Sequence, residues 1–259
     1  MKLERWSLQF YRLPYAREVV WANAREDSGL FALLRIEANG ATGIAEGTLK
    51  DTWSGVSPGS LKSSLEDFLI PRLRDVDLGD EAAVARAFAG IPENRLAKGM
   101  IESACWTLRA AAAGEPLWKL WDAGRSREVA WTVTRQKPAR MAAEAAEVCA
   151  RHGFRVLKVK GGQGMEVDLR ALAEIRAAVG EAVEVYVDAN GAYARADATD
   201  YVQALAASGV TVAEDPCSLQ PDAGFEALQK ASAIPILVDR SCASKEDAAL
   251  YLERGAQAL

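Results

Sequence analysis

A single histidine, His152, is all the imidazole this chain holds, and its four cysteines (Cys105, Cys149, Cys217, Cys242) form no Cys-x-x-Cys pair. Ser-His-Asp chemistry and Cys/His zinc sites have little to draw on. Thiols so widely spaced read as reduced and unpaired, which points to the cytoplasm. No apolar run approaches the ~20 residues a bilayer requires, and Met1-Lys2-Leu3-Glu4-Arg5 reads as the start of a strand rather than a secretory leader. A basic excess is missing too. Lys and Arg number 31 against 36 Asp and Glu, a net charge of −5 with the signs interspersed, so no face advertises nucleic acid or a membrane surface. No Gly-x-Gly-x-x-Gly turn follows a strand, which removes the main support for a dinucleotide-binding fold.

What is present is ordinary for a globular chain: 259 residues, half of them hydrophobic and 26% charged. That length is natural for two domains. Residues 1–125 mix elements irregularly. Segments 6–11 and 31–36 read as strands, the second entering a turn at Asn39-Gly40. Segments 21–29 and 50–59 read as polar loops, and 59–73, 80–89 and 94–113 as helices. From residue 126 the texture becomes regular. Strands at 129–134, 155–160, 183–188, 210–214 and 236–239 alternate with helices at 138–152, 166–179, 195–208, 222–232 and 245–254. Five such βα units predict an α/β fold with a parallel sheet under helices, and a (β/α) barrel in particular. Residues 255–259 read as the opening of a sixth strand. The barrel therefore reads as cut after its fifth unit, with residues expected beyond Leu259.

The strands end alike. Lys158 and Lys160 close the second, Asp188 the third, Glu214 the fourth and Asp239 the fifth; the steps from Lys160 onward are 28, 26 and 25 residues. In a barrel that spacing sets every one of them on the C-terminal rim, facing a common centre. Three converging carboxylates repel one another unless a cation stands among them. All-oxygen ligation suits Mg²⁺, with Mn²⁺ as the alternative. A lysine beside such an ion is expected to lose its proton more readily, as a base must. The ion would also stabilise charge developing on a substrate carboxylate. The bland alternative, acids serving as helix N-caps or ion-pair partners, suits any one of them better than it suits the set. Gly161-Gly162-Gln163-Gly164 lacks the Gly-Lys-Ser/Thr ending of a phosphate cradle. It reads instead as the loop that lets Lys160 and the next helix approach the centre.

Val156-Leu157-Lys158-Val159-Lys160-Gly161-Gly162, Val187-Asp188-Ala189-Asn190-Gly191-Ala192-Tyr193, Ala213-Glu214-Asp215-Pro216 and Val238-Asp239 resemble the enolase superfamily. The resemblance is to its muconate-lactonizing branch: muconate cycloisomerases, o-succinylbenzoate synthases, N-acylamino-acid racemases and dipeptide epimerases. It spans essentially the whole chain, since 1–125 looks like the α+β capping (lid) domain and 126–259 like the barrel. It implies a Mg²⁺ enzyme that abstracts the proton α to a carboxylate to give an enediolate. Racemisation or epimerisation, cycloisomerisation, or dehydration would follow. It makes Lys160 the base and Lys158 its electrostatic support, and it sets Asn190 as a polar neighbour of the metal ligand. The lid loops offer Trp21, Arg25 and Trp53 as substrate contacts. A small-molecule carboxylate is the expected ligand and a homo-oligomer the expected assembly.

Two features depart from that pattern. Arg240 follows Asp239 where the family carries an acid. It stands to pair with a neighbouring carboxylate, to contact an anionic substrate, or to mark altered metal binding. The branch also carries a lysine at the end of the sixth strand, which one more unit would put beyond Leu259. Two other readings compete. A Schiff-base lyase using Lys158 or Lys160 has no use for three converging acids. A non-catalytic or altered-metal relative, or a fragment, fits Arg240 and the incomplete barrel. His152 reads as structural, in the last turn of a helix beside Gly153.

Overall fold

Two strands and a tight turn organise the N-terminal half. β1 (Arg5–Trp21), β2 (Ala24–Ala38) and β3 (Ala41–Leu49) form a sheet in that order. Asn39 and Gly40 both take positive φ, 51° and 75°, a conformation that Asn and Gly adopt at least cost. The turn locks β2 against β3 in antiparallel register from Ala38↔Ala41 to Leu30↔Leu49. The structure, a computed structural model, describes residues 1–21, 24–121, 124 and 126–259. It divides into two units, Met1–Glu18 with Asp27–Ser126, and Val19–Glu26 with Arg127–Leu259.

In the first unit, α1 (Asp51–Ser54) and α2 (Pro58–Ser63) follow the sheet. Ser57 and Ser60 cap α2 reciprocally. The chain then runs through a π-helical turn (Ser64–Leu69) and a 3-10 turn (Ile70–Leu73) to α3 (Glu81–Phe88), α4 (Arg95–Ala113) and α5 (Leu117–Leu120). Met100, Ile101, Ala104, Cys105 and Leu108 give α4 one apolar stripe. That stripe joins Leu34, Ile36, Leu65, Leu69 and Leu73 in a single core. Within the polar segment 21–29, residues 24–29 are strand and not the loop their composition predicts. β2 already starts at Ala24, because strand pairing is made by the backbone and does not require buried side chains.

In the second unit, the described residues place β4 (Trp131–Val133), β5 (Val156–Lys160), β6 (Glu184–Asp188), β7 (Ala213–Glu214) and β8 (Ile236–Leu237) in one parallel sheet in sequence order. The intervening helices are α6 (Pro138–His152), α7 (Met165–Val179), α8 (Ala198–Ala207), α9 (Ala223–Ala231) and α10 (Lys245–Glu253). Pro138 in its first turn and Gly153 at φ 70° delimit α6 as the sequence predicts. Residues 255–259 also make the expected pairing: Ala258 bridges Leu237 in parallel and accepts from the Val238 amide at 3.3 Å. Among the described residues, no helix is long and apolar enough to cross a membrane.

Candidate active site

Successive residues of a strand face opposite sides of the sheet. Leu157, Val159, Val185, Val187 and Ala213 are buried in one apolar cluster with Ala145, Leu172, Ile175 and Leu205 from the helices. The other parity, Lys158, Lys160, Tyr186, Asp188 and Glu214, faces away from that cluster. Register then fixes the levels: Lys158 pairs with Tyr186, Lys160 with Asp188, and Asp188 with Glu214. Lys160, Asp188 and Glu214 thus share one level at the C-terminal ends of three adjacent strands. Both carboxylates are buried, Asp188 at 0% and Glu214 at 3% exposure.

Charge is balanced within this layer. The Lys160 ammonium donates to Asp188 Oδ2 at 2.5 Å and to Asn190 Oδ1 at 3.3 Å. The Lys158 ammonium bridges the two acids, 3.0 Å from Asp188 Oδ2 and 2.6 Å from Glu214. Asn190 sits in the left-handed region (φ 52°), which lets its backbone amide donate to Asp188 Oδ1 at 2.8 Å and its side-chain amide to Oδ2 at 3.1 Å. Burial pushes Asp188 up, but the charges and hydrogen bonds of Lys160 and Lys158 outweigh it and leave the acid below its ordinary value. Burial pushes Glu214 up to about 7; the Lys158 hydrogen bond opposes the rise and the charge of Asp188 adds to it. Lys158 is raised: burial works against its ammonium, and the Glu214 hydrogen bond and Asp188 charge prevail.

Asp239 lies beyond the end of its strand. β8 ends at Leu237, which pairs with Glu214, so Asp239 lies two residues, roughly 6–7 Å of strand rise, past the layer. Its side chain is exposed, and its backbone amide is tied to Asp215 Oδ1 at 3.2 Å. Among the described residues, no group of three His, Cys, Asp or Glu side chains is placed to hold a metal ion. The donor chemistry fits a divalent cation at the level of the pair. Two buried carboxylates on neighbouring strands, one of them pushed up partly by the other, are relieved by a hard cation. Arg240 donates from Nη1 to Asn190 O at 3.3 Å and from its backbone to Asp215 Oδ2 at 3.0 Å. It borders a cleft of about 190 Å³ with Asn190, Asp215, Cys217 and Gln220.

Residues 15–121 match the family model for the mandelate racemase / muconate lactonizing enzyme N-terminal domain, and residues 140–259 match the enolase C-terminal domain-like model. The chain belongs to the mandelate racemase/muconate lactonizing enzyme family. It is 32% identical to an o-succinylbenzoate synthase of Geobacillus kaustophilus over 82% of this chain and 53% of that one. It is 29% identical to the chloromuconate cycloisomerase of Pseudomonas putida over 94% and 68%. Among solved structures, the L-Ala-D/L-Glu epimerase of Bacillus subtilis superposes with a TM-score of 0.89 at 27% identity, covering 98% of this chain and 72% of that one. A muconate lactonizing enzyme from Pseudomonas fluorescens gives 0.90 at 29%, covering 98% and 70%. The chain thus spans between about half and about seven-tenths of the length of these relatives, and it has their enolase-type fold, with an N-terminal antiparallel-sheet domain and a parallel-sheet α/β domain of the barrel class.

The other expected site residues of this family member are less gathered. Trp21 ends β1, and its side chain lies outside the described residues. Arg25 is exposed on β2. Trp53 is 61% exposed on α1, with the Lys50 ammonium 5.8 Å from its ring. His152 is the last residue of α6, its ring edge-on to Phe154, away from the layer. Two side chains beside the layer carried no sequence signal, Arg135 and Asp168, buried at 7% and 3% exposure. The loop after Lys160 explains its glycines. Gly162 has φ +83°, and a Cβ there would stand 2.7 Å from Ala192 Cβ and 2.8 Å from Ala189 O, besides striking the Arg135 guanidinium. Gly162→Ala is expected to cost at least ~2 kcal/mol, from left-handed strain and these collisions together. Chemical denaturation checks this.

Proposed function

We propose that this protein removes the proton α to the carboxylate of a small carboxylic acid. Lys160 is the base, Lys158 is its electrostatic partner, and Asp188, Glu214 and Asp239 are the ligands of one Mg²⁺. The observation that carries this reading is the single layer in which two lysine ammoniums meet two buried carboxylates at the ends of β5, β6 and β7. A bound cation supplies positive charge opposite the negative charge that grows on the substrate carboxylate as its proton leaves. The chain's own residues do the rest. Asn190 fixes Asp188 through two hydrogen bonds, and Lys160, at the rim of the layer, takes the proton at Nζ. Lys158 keeps a second positive charge at the same Asp188 carboxylate that Lys160 contacts. A dipeptide, an N-acylamino acid or an unsaturated diacid is the substrate class, with epimerisation, racemisation or cycloisomerisation as the outcome; dehydration to a succinylated aromatic acid is the further member of the set.

A second reading, a relative with altered or lost metal binding, is favoured by the exposed Asp239 lying outside the carboxylate pair and next to Arg240. Mg²⁺ titration by calorimetry separates the two. The first reading predicts one saturable site per chain, weakened about 10-fold or more by Asp239→Asn, since each carboxylate carries a full share of the attraction. Absence of saturable binding to the unaltered protein would favour the second.

A further inference from the structure

The residues immediately above the layer are held by a cation. Val133 of β4 pairs with Val159 of β5, so continuing that register by two residues brings Arg135 level with Gly161. Lys160 pairs with Asp188, which brings Gly161 level with Ala189. Arg135 spans these positions. Its Nε donates to Gly161 O at 2.5 Å and its Nη2 to Ala189 O at 3.3 Å. These are the carbonyls of the residues directly following Lys160 and Asp188. The Gly161 amide in turn donates to Asp188 O at 2.9 Å. From the other side Asp168, at the start of α7, accepts from the Gly162 amide at 2.6 Å and the Gln163 amide at 3.1 Å. It is itself fixed by the hydroxyls of Tyr193 at 2.6 Å and Tyr201 at 2.8 Å, two rings stacked at 3.9 Å. Gly161 leaves room for the same clamp, because a Cβ there would lie 2.9 Å from Asp168 Oδ2 and 2.7 Å from the Tyr201 hydroxyl.

We propose that Arg135 is a positioning residue that couples β4 to the ends of β5 and β6 and so sets the distance between the Lys160 ammonium and the Asp188 carboxylate. A planar fork serves here where an ammonium would not, since it addresses two carbonyls on different strands at once. The price of burying a guanidinium is offset by nearby negative charge: burial lowers its proton affinity, and Asp168 and Asp188 oppose that fall. An arginine kept only for stability would be replaceable by packing of similar volume. A positioning arginine would not, because a displacement on the order of 1 Å at a reacting group costs about 10²-fold in rate.

The consequence for turnover rests on the proposed function; the clamp itself does not. Arg135→Met and Arg135→Lys are compared with the unaltered protein by amide hydrogen exchange of the 157–165 segment. Substrate α-proton exchange at saturating Mg²⁺ is followed in parallel. Arg135→Met is expected to speed amide exchange at Gly161–Gln163 and to lower kcat about 10–100-fold with KM changed less than about 3-fold. Arg135→Lys, retaining one donor and the charge, is expected to recover part of both. Unchanged loop protection in Arg135→Met would overturn the clamp. A kcat that returns in full on cooling, in step with stability, would overturn the positioning role. If the unaltered protein exchanges no α-proton, the proposed function fails while the loop measurement still decides the clamp. Should Arg135→Met not fold, Arg135→Gln with the same two readouts replaces it.

Discussion

Lys160→Ala is expected to slow exchange of the substrate α-proton with solvent deuterium by about 10²–10⁴-fold, the contribution of a positioned general base. The fold should survive, because the Lys160 side chain keeps 17% exposure, and the strand's apolar parity, Leu157 and Val159, is untouched. Lys158 cannot take over the role. It lies one pleat below Lys160, paired with Tyr186 rather than Asp188, and its ammonium is held between Asp188 and Glu214. Deuterium incorporation followed by NMR measures the effect. A variant that exchanges at the unaltered rate would remove Lys160 from the role of base.

Asp188→Asn is expected to act on both stability and metal binding. Among the described residues, Asp188 is the one carboxylate touched by both Lys158 and Lys160, and it lies on the shared level between Lys160 and Glu214. Removing its charge takes the carboxylate partner from the Lys160 ammonium and leaves Lys158 paired with Glu214. The cost is put at about 3 kcal/mol, the low end for breaking a buried pair, because both ammoniums keep some contact with water. Mg²⁺ affinity should fall by about 100-fold or more, the effect of losing a ligand charge. Denaturant midpoints and calorimetric titration give the two quantities separately. Glu214→Gln is expected to weaken Mg²⁺ binding with less loss of stability, since burial already pushes Glu214 up to about 7 and disfavours its charged form.

Much of this arrangement is legible in the sequence because it is periodic. Lys-x-Lys at the end of a β-branched run specifies two side chains on one face by the two-residue repeat alone. Asp188 and Glu214, each one unit further on, fall on the same level once the strands pair in order. Pro138, Gly153 and Asn39-Gly40 mark ends and turns through their own backbone preferences. What escapes is set by tertiary structure. Counting residues per unit does not tell where a strand ends, and β8 ends two residues before Asp239. Arg135 follows a three-residue strand and bonds to carbonyls, which every residue possesses, so its burial leaves no trace in composition. Asp168 looks like an ordinary acid in the first turn of a helix, although it accepts from two hydroxyls and two amides. Residues 24–29 lack apolar alternation because backbone pairing, and not burial, makes them strand.

The activity proposed for this protein is abstraction of an α-proton with the help of a divalent cation. Incubation of the protein in deuterium oxide with candidate dipeptides, N-acylamino acids and diacids, with Mg²⁺ and then with chelator, tests it most directly. Deuterium is expected at the α-carbon (or its vinylogous equivalent in an unsaturated diacid) of at least one of these acids when Mg²⁺ is present. That exchange should disappear on chelation and return when Mg²⁺ is restored. Exchange that persists undiminished in chelator, or none with any of these acids under saturating Mg²⁺, would contradict it.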